Sequence, residues 1–157
     1  PVAKPVPLPA AQPRLAGFLV NEISDGLVNV RDENGRSIVT LRGDGLFTPG
    51  SATISPDFQP LLARIAEALN AVPGQVQITG HTDNQPIRSA RFPSNWHLSR
   101  GRAYAVMQLL AEKGVSANRL SAEGRADGES VAPNDTPADR ARNRRVEITL
   151  FVSRADG

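Results

Sequence analysis

Two residues stand out for what their types and positions could do together. Arg102 lies four residues after Leu98 and four before Val106, on the apolar stripe of a segment patterned as a helix, where a guanidinium needs a partner or a purpose. Asp83 lies just past the carboxyl end of a short strand pattern, in the strand-to-helix connection where open α/β sheets bind ligands. The two are expected to converge near the first turn of that helix. A carboxylate beside a guanidinium is either a structural ion pair or a reader of zwitterions, the acid taking an ammonium and the arginine forking a carboxylate. Spacing alone leaves both open.

The elements that must hold these residues follow from periodicity. Leu15, Phe18, Leu19 and Ile23 fall at helical spacing and predict a short helix, while Leu27 to Asp32 and Arg36 to Arg42 alternate around the hairpin signal Glu33-Asn34-Gly35. Ser55-Pro56-Asp57 supplies an N-cap, a proline at the first helical position and an early acid. The helix it starts runs to about Asn70, with Phe58, Leu61, Leu62, Ile65 and Leu69 as its stripe. Gln75 to Thr79 reads as a short strand and residues 80 to 94 as a long loop. A helix over about Asn95 to Lys113 follows, turning Leu98, Ala105, Val106, Leu109 and Leu110 inward and ending at Gly114. Arg119 to Glu123 gives another strand, Pro137 to Ala141 a short polar helix, and Val146, Ile148, Leu150 and Val152 alternate as the last strand. This order indicates an α/β (α+β) two-layer sandwich, a small mixed sheet with helices on one face.

Composition narrows the chemistry. The chain has 157 residues and no cysteine, which suits one domain plus a tail and removes disulfide scaffolds, thiol nucleophiles and cysteine-based metal sites. No stretch is apolar enough for a membrane span, and the start lacks the regions of a signal peptide. Five of the 13 prolines fall in residues 1–13. In polyproline II geometry this segment reaches roughly 40 Å and reads as a semi-rigid tether. A chain that begins at Pro1 is expected to be an excised or processed piece. Of its 18 basic residues 16 are arginine, the side chain suited to two-pronged contact with carboxylates and phosphates.

Four segments in order, LFTPGSATI (46–54), ITGHTDNQPI (78–87), NWHLSRGRAYAV (95–106) and RARNRRVEITL (140–150), closely resemble the OmpA-like peptidoglycan-binding domain shared with Pal lipoproteins and the motor protein MotB. The match runs from about residue 37 to 152. The resemblance divides the chain into a tether (1–13), an N-terminal helix and hairpin strand (14–36) and the OmpA-like domain (37–154). It implies a non-catalytic module, without cofactor or metal, that grips the diaminopimelate of the stem peptide in Gram-negative cell wall. Asp83 matches the family aspartate that binds the free ammonium, and Arg102 the arginine that binds the carboxylate at the same stereocentre. Secondary contacts implied by the family are Phe47, mainly through backbone groups of its loop, Thr82, Leu98, and the pair Asn143 and Arg144. By strand alternation Arg144 shares a side with Val146 and faces the helices. Many relatives carry Phe-Asp at the first loop, whereas this chain has Phe47-Thr48-Pro49, which puts an acidic contact there in question.

The longer loop of Phe92 to Trp96 resembles both MotB and the periplasmic extension of the TssL family of type VI secretion proteins, and the run LRGDGLFTPGSA and the ending DRARNRRVEI resemble that TssL extension most. In that family a cytoplasmic domain and one membrane helix precede a tether and this module. The resemblance implies a periplasmic domain of an inner-membrane protein, with peptidoglycan and other secretion-complex subunits as partners; a MotB-like stator is the alternative, and a homodimer is left open. Weaker signals have plain readings. His81 and Asp83 lack further metal ligands, leaving a loop histidine. Arg42-Gly43-Asp44 is a chance tripeptide, and Trp96 and Leu98 suit packing at the start of the helix better than a sugar-stacking platform. The clusters Arg88 to Arg102 and Arg140 to Arg145 could serve nucleic acid, but two lysines, 4% aromatics and no recognised motif argue against it. A hydrolase would need a nucleophile and base or two carboxylates, and Ser99 and His97, two apart on a helix, point away from each other.

Overall fold

The computed structural model describes residues 15–33, 35–48, 51–85 and 92–152. The proline tether, the hairpin residue Asn34, and Arg88 and Arg91 of the long loop lie outside the described residues. Two short helices, α1 (Leu15–Phe18) and α2 (Val20–Ser24), open the chain. The single helix expected there is interrupted at Leu19, whose φ of −123° is not helical. Leu15 and Leu19 are buried while Phe18 faces solvent, so the break turns two leucines of this stretch into the core.

Five strands form one sheet: β1 (Asn29–Glu33), β2 (Arg36–Arg42), β3 (Gly74–His81), β4 (Leu120–Gly124) and β5 (Arg145–Val152), in the order β1-β2-β5-β3-β4. Only β3 and β4 run parallel; the other neighbours are antiparallel, as the expected mixed sheet requires. Val39, Ile148 and Ile78 share one register row and are all buried. Helices α3 (Gln59–Ala71) and α4 (Asn95–Glu112) contribute Leu62, Ile65, Leu69, Ala103, Val106 and Leu110 to the same core. Each aliphatic side chain fully buried in this way stabilises the fold by about 1.5–3 kcal/mol. The last helix, α5 (Pro137–Asn143), leads directly into β5.

Several boundaries differ from the periodicity, each for a local reason. Ser55 makes no side-chain cap; a 3₁₀ turn over Pro56–Phe58 intervenes and α3 starts at Gln59. Ser94 instead caps α4, its hydroxyl accepting from the His97 amide, and Gly114, with φ +109°, follows that helix's end. Strand β3 runs on to His81, because Gly80 and His81 remain paired with Val146 and Arg145 of β5. His81 is therefore a buried strand residue and not a loop histidine.

One contact places α4 over the sheet. A Cβ on Gly80 would lie 2.1 Å from the Ser99 carbonyl oxygen, and one on Gly124 2.5 Å from the Arg100 amide nitrogen. The first half of α4 thus rests directly on backbone at the parallel pair, which only glycine permits. That seat brings Arg102, a turn further on, to the carboxyl end of β3.

Candidate functional site

Arg102 projects from α4 and is only 6% exposed. Its Nε donates to the Ser51 carbonyl (2.7 Å) and its Nη2 to the Thr48 carbonyl (3.2 Å), and its guanidinium carbon lies 4.7 Å from the centroid of the Phe47 ring. The loop after the kinked helical turn Gly43–Leu46 therefore cradles the cation with two carbonyls and a π face. Nη1 has no hydrogen-bond partner among the described residues. Burial lowers the Arg102 pKa from its ordinary value to about 10, with Asp44 and Asp83 opposing the fall and Arg144 adding to it. A depression of that size corresponds to about 3 kcal/mol against the charged form. At neutral pH the group keeps its charge, held without a carboxylate at ion-pair distance among the described residues.

Asp83 sits just past β3 and is 7% exposed. One carboxylate oxygen accepts from Arg144 Nη1 at 2.5 Å and the other from the Gln85 amide at 3.0 Å, while its backbone carbonyl takes the Thr82 hydroxyl at 2.8 Å. A direct Asp83–Arg102 ion pair, one of the two arrangements that the spacing left open, is not formed. Arg144 stands beside Asp83 instead, because the loop carbonyls of Thr48 and Ser51 already hold Arg102.

Arg144 follows α5 and reaches two carboxylates at once. Its Nε and Nη2 fork Asp44 at 2.9 and 2.8 Å, and its Nη1 takes Asp83. The hydrogen bond from Arg144 is the main reason that the Asp44 pKa falls below the usual carboxylate value. Asp44 supplies an acid that Phe47-Thr48-Pro49 lacks, four residues before Thr48, where the family pattern places it. Sequence reasoning passed over it as part of a chance tripeptide. Gly45, whose φ of +90° only the structure shows, kinks the turn that carries Asp44.

The remaining expected residues divide by what they touch. Phe47 is buried beneath Arg102 and joins the core, so its ring supports the cation while neighbouring carbonyls bind it. Thr82 is buried, its amide held by the Ala126 carbonyl. Asn143 is completely buried; its oxygen accepts from the Val131 and Ala132 amides and its nitrogen donates to Ala132 and Asn134. Its four hydrogen-bonding positions are thereby used in clamping the 131–134 loop, which fixes where Arg144 begins. Leu98 is buried outside the main apolar cluster. Trp96, expected to pack, is 47% exposed. Among the described residues no group of histidines and acids could hold a metal ion.

The arrangement is two carboxylates and two guanidiniums at one end of the sheet, with Arg102 carrying the free donor. The chain belongs to the OmpA family, whose profile matches residues 46–144. The structure of the cell wall anchor of the type VI secretion system from Pseudomonas aeruginosa is 54% identical, covers 90% of this chain and 99% of that one, and superposes with a TM-score of 0.87. The periplasmic domain of Helicobacter pylori MotB is 32% identical, with 82% and 84% of the two chains covered and a TM-score of 0.75. Motility protein B of Bacillus subtilis is 40% identical over 116 residues, 73% of this chain and 44% of its own length. The chain spans about half the length of the curated relatives it matches, 55%, 44% and 58% for three of them.

Proposed function

We propose that this chain is a non-catalytic wall-binding module that grips the diaminopimelate of the peptidoglycan stem peptide and so anchors a membrane-embedded secretion complex, of the type VI kind, to the cell wall. The observation that carries the reading is Arg102, a buried cation cradled by neutral carbonyls with a donor unused among the described residues. A ligand carboxylate would relieve the cost of that burial, and it would do so through a charge-assisted, forked contact. The adjoining ammonium would meet Asp83, which Arg144 and the Gln85 amide hold in place. One stereocentre bearing both groups fits a site with an acid and a base side by side.

Membership of the OmpA family supports wall binding, and the likeness to the Pseudomonas aeruginosa anchor supports the secretion system. A flagellar stator anchor is the second reading, supported by the likeness to motility protein B. On either reading the module would work in the periplasm, attached to a membrane-anchored parent; no helix among the described residues is long and apolar enough to cross a membrane. A hydrolytic role lacks its parts among the described residues, since Ser99 donates to the Trp96 carbonyl and the His97 ring contacts Ser94.

Co-sedimentation with purified sacculi tests the reading. Asp83→Ala and Arg102→Ala are expected to abolish binding to diaminopimelate-type sacculi while circular dichroism shows a folded domain. Binding retained by both variants overturns the assignment, as does equal wild-type binding to sacculi carrying lysine, which lacks the distal carboxylate. Soluble muropeptides released by the pure protein would make it a hydrolase.

A further inference from the structure

The first turn of α4 carries the chain's single tryptophan. Trp96 is about half exposed, although burial of such a side chain is strongly favoured. The same turn is tied to the candidate site. The Asn95 side-chain Nδ2, one residue earlier, donates to the Gln85 carbonyl at 2.8 Å and to the Asp83 carbonyl at 3.4 Å. The Trp96 carbonyl accepts from Ser99, whose hydroxyl in turn accepts from the Ala126 amide of the loop that holds Thr82. The indole therefore stands on backbone fixed to the loop of Asp83.

The ring is also held in orientation. The Arg100 guanidinium lies 5.6 Å from its centroid and 5.0 Å from that of Tyr104, and the His97 ring meets it edge-on at 5.1 Å and 82°. His97 is in turn braced by Ser94, Nδ1 to Oγ 2.7 Å. Arg100 and His97 brace the ring, and about half of the residue stays exposed. An exposed, pre-oriented indole beside a polar site suits the apolar face of a pyranose ring, whose axial C–H groups complement the negative π cloud.

We propose that Trp96 is a stacking subsite for the glycan strand, so that the protein reads a sugar ring together with the stem peptide attached to it. This rests on the wall-binding reading above and adds the sugar to it. The pyranose ring loses little freedom on stacking, and an indole braced by Arg100 and His97 loses little too, so the contact adds affinity at small entropic cost.

Two ligands separate this subsite from the peptide site: the free tripeptide ending in diaminopimelate, and the same tripeptide on its disaccharide. Wild-type protein is expected to bind the disaccharide-tripeptide more tightly. Trp96→Ala should lower that affinity about 3- to 10-fold, the range of one aromatic contact, and leave tripeptide affinity within about two-fold. Trp96→Phe should keep most of the preference. Because Trp96 is the single tryptophan, its fluorescence reports the contact directly. The peptide-free disaccharide should shift the wild-type emission to shorter wavelength. Equal affinity of wild-type protein for the two ligands with an unmoved spectrum overturns the glycan subsite and leaves the peptide reading intact. Loss of tripeptide binding in Trp96→Ala makes the residue a support for the loop and overturns stacking as its role. If wild-type protein binds neither ligand, the wall-binding reading fails and this proposal with it.

Discussion

Arg144 and Arg145 are consecutive in the chain, and each meets carboxylates, but in different surroundings. Arg144 forks Asp44 and touches Asp83 with about a third of its side chain still in water, next to the unused donor of Arg102. Arg145 is 4% exposed and bonds only inward, to Glu147, the Asn143 carbonyl and the Glu129 carbonyl. Beside it His81, whose ring nitrogens have no hydrogen-bond partner among the described residues, lies 3.8 Å from Glu147, an ion-pair separation longer than a hydrogen bond. In one cluster a guanidinium nitrogen of Arg102 is left unbonded among the described residues and Arg144 reaches solvent; in the other each nitrogen of Arg145 is bonded within the chain, and the unpartnered groups are the buried ring nitrogens of His81. A charged cluster becomes a candidate site through an unfilled cation next to solvent, and the number of its charges does not decide it.

The comparison can be broken first at Arg145. Arg145→Ala leaves Glu147 without its close partner and is expected to lower unfolding stability by about 3–5 kcal/mol, the range for halving a buried pair, while the folded fraction still binds sacculi. Denaturant melts paired with co-sedimentation check this; a stable variant that fails to bind would move Arg145 into the site. The next effect is acid sensitivity. His81 and then Arg145 hold the Glu147 pKa at about 2, below its unfolded value of 4.5. The stabilisation this brings is complete above about pH 5 and disappears as pH falls through about 2. Stability measured from pH 6 to pH 2 should therefore fall less steeply in Glu147→Gln than in the wild type, and parallel curves would remove Glu147 from the account. The smallest expected effect lies in the other cluster. Arg102→Lys keeps the charge and loses the fork, and should weaken sacculus binding by about ten-fold with little change in melting. Unchanged affinity would mean that the carboxylate is met by charge alone.

Much of the architecture was legible from pattern. The alternation of Val146, Ile148 and Leu150 and the stripe of Leu61, Leu62, Ile65 and Leu69 report buried faces, and both are buried. Ser55 and Leu19 were misread because caps and helix breaks depend on a few dihedral angles that composition does not encode. At the candidate site, residue types singled out Asp83 and Arg102, since a charge on an apolar stripe and an acid after a strand are anomalies a sequence displays. Asp44 was passed over because nothing in Arg42-Gly43-Asp44 distinguishes a surface acid from one turned toward a guanidinium a hundred residues away. Trp96 was expected to pack, and its helix position alone could not show that Arg100 and His97 would brace the ring while about half of the residue stays exposed.

By itself the sequence determined the sandwich, the two anomalous residues and the family likeness, because periodicity and local motifs act over a few residues. Only the tertiary structure decided the pairing. Asp83 meets Arg144 and leaves Arg102 to the loop carbonyls, because β5 pairs antiparallel with β3 while the Gly80 and Gly124 seat sets the height of α4. Coulomb attraction permits either arginine to face that carboxylate; backbone positions fixed by distant segments select which one does.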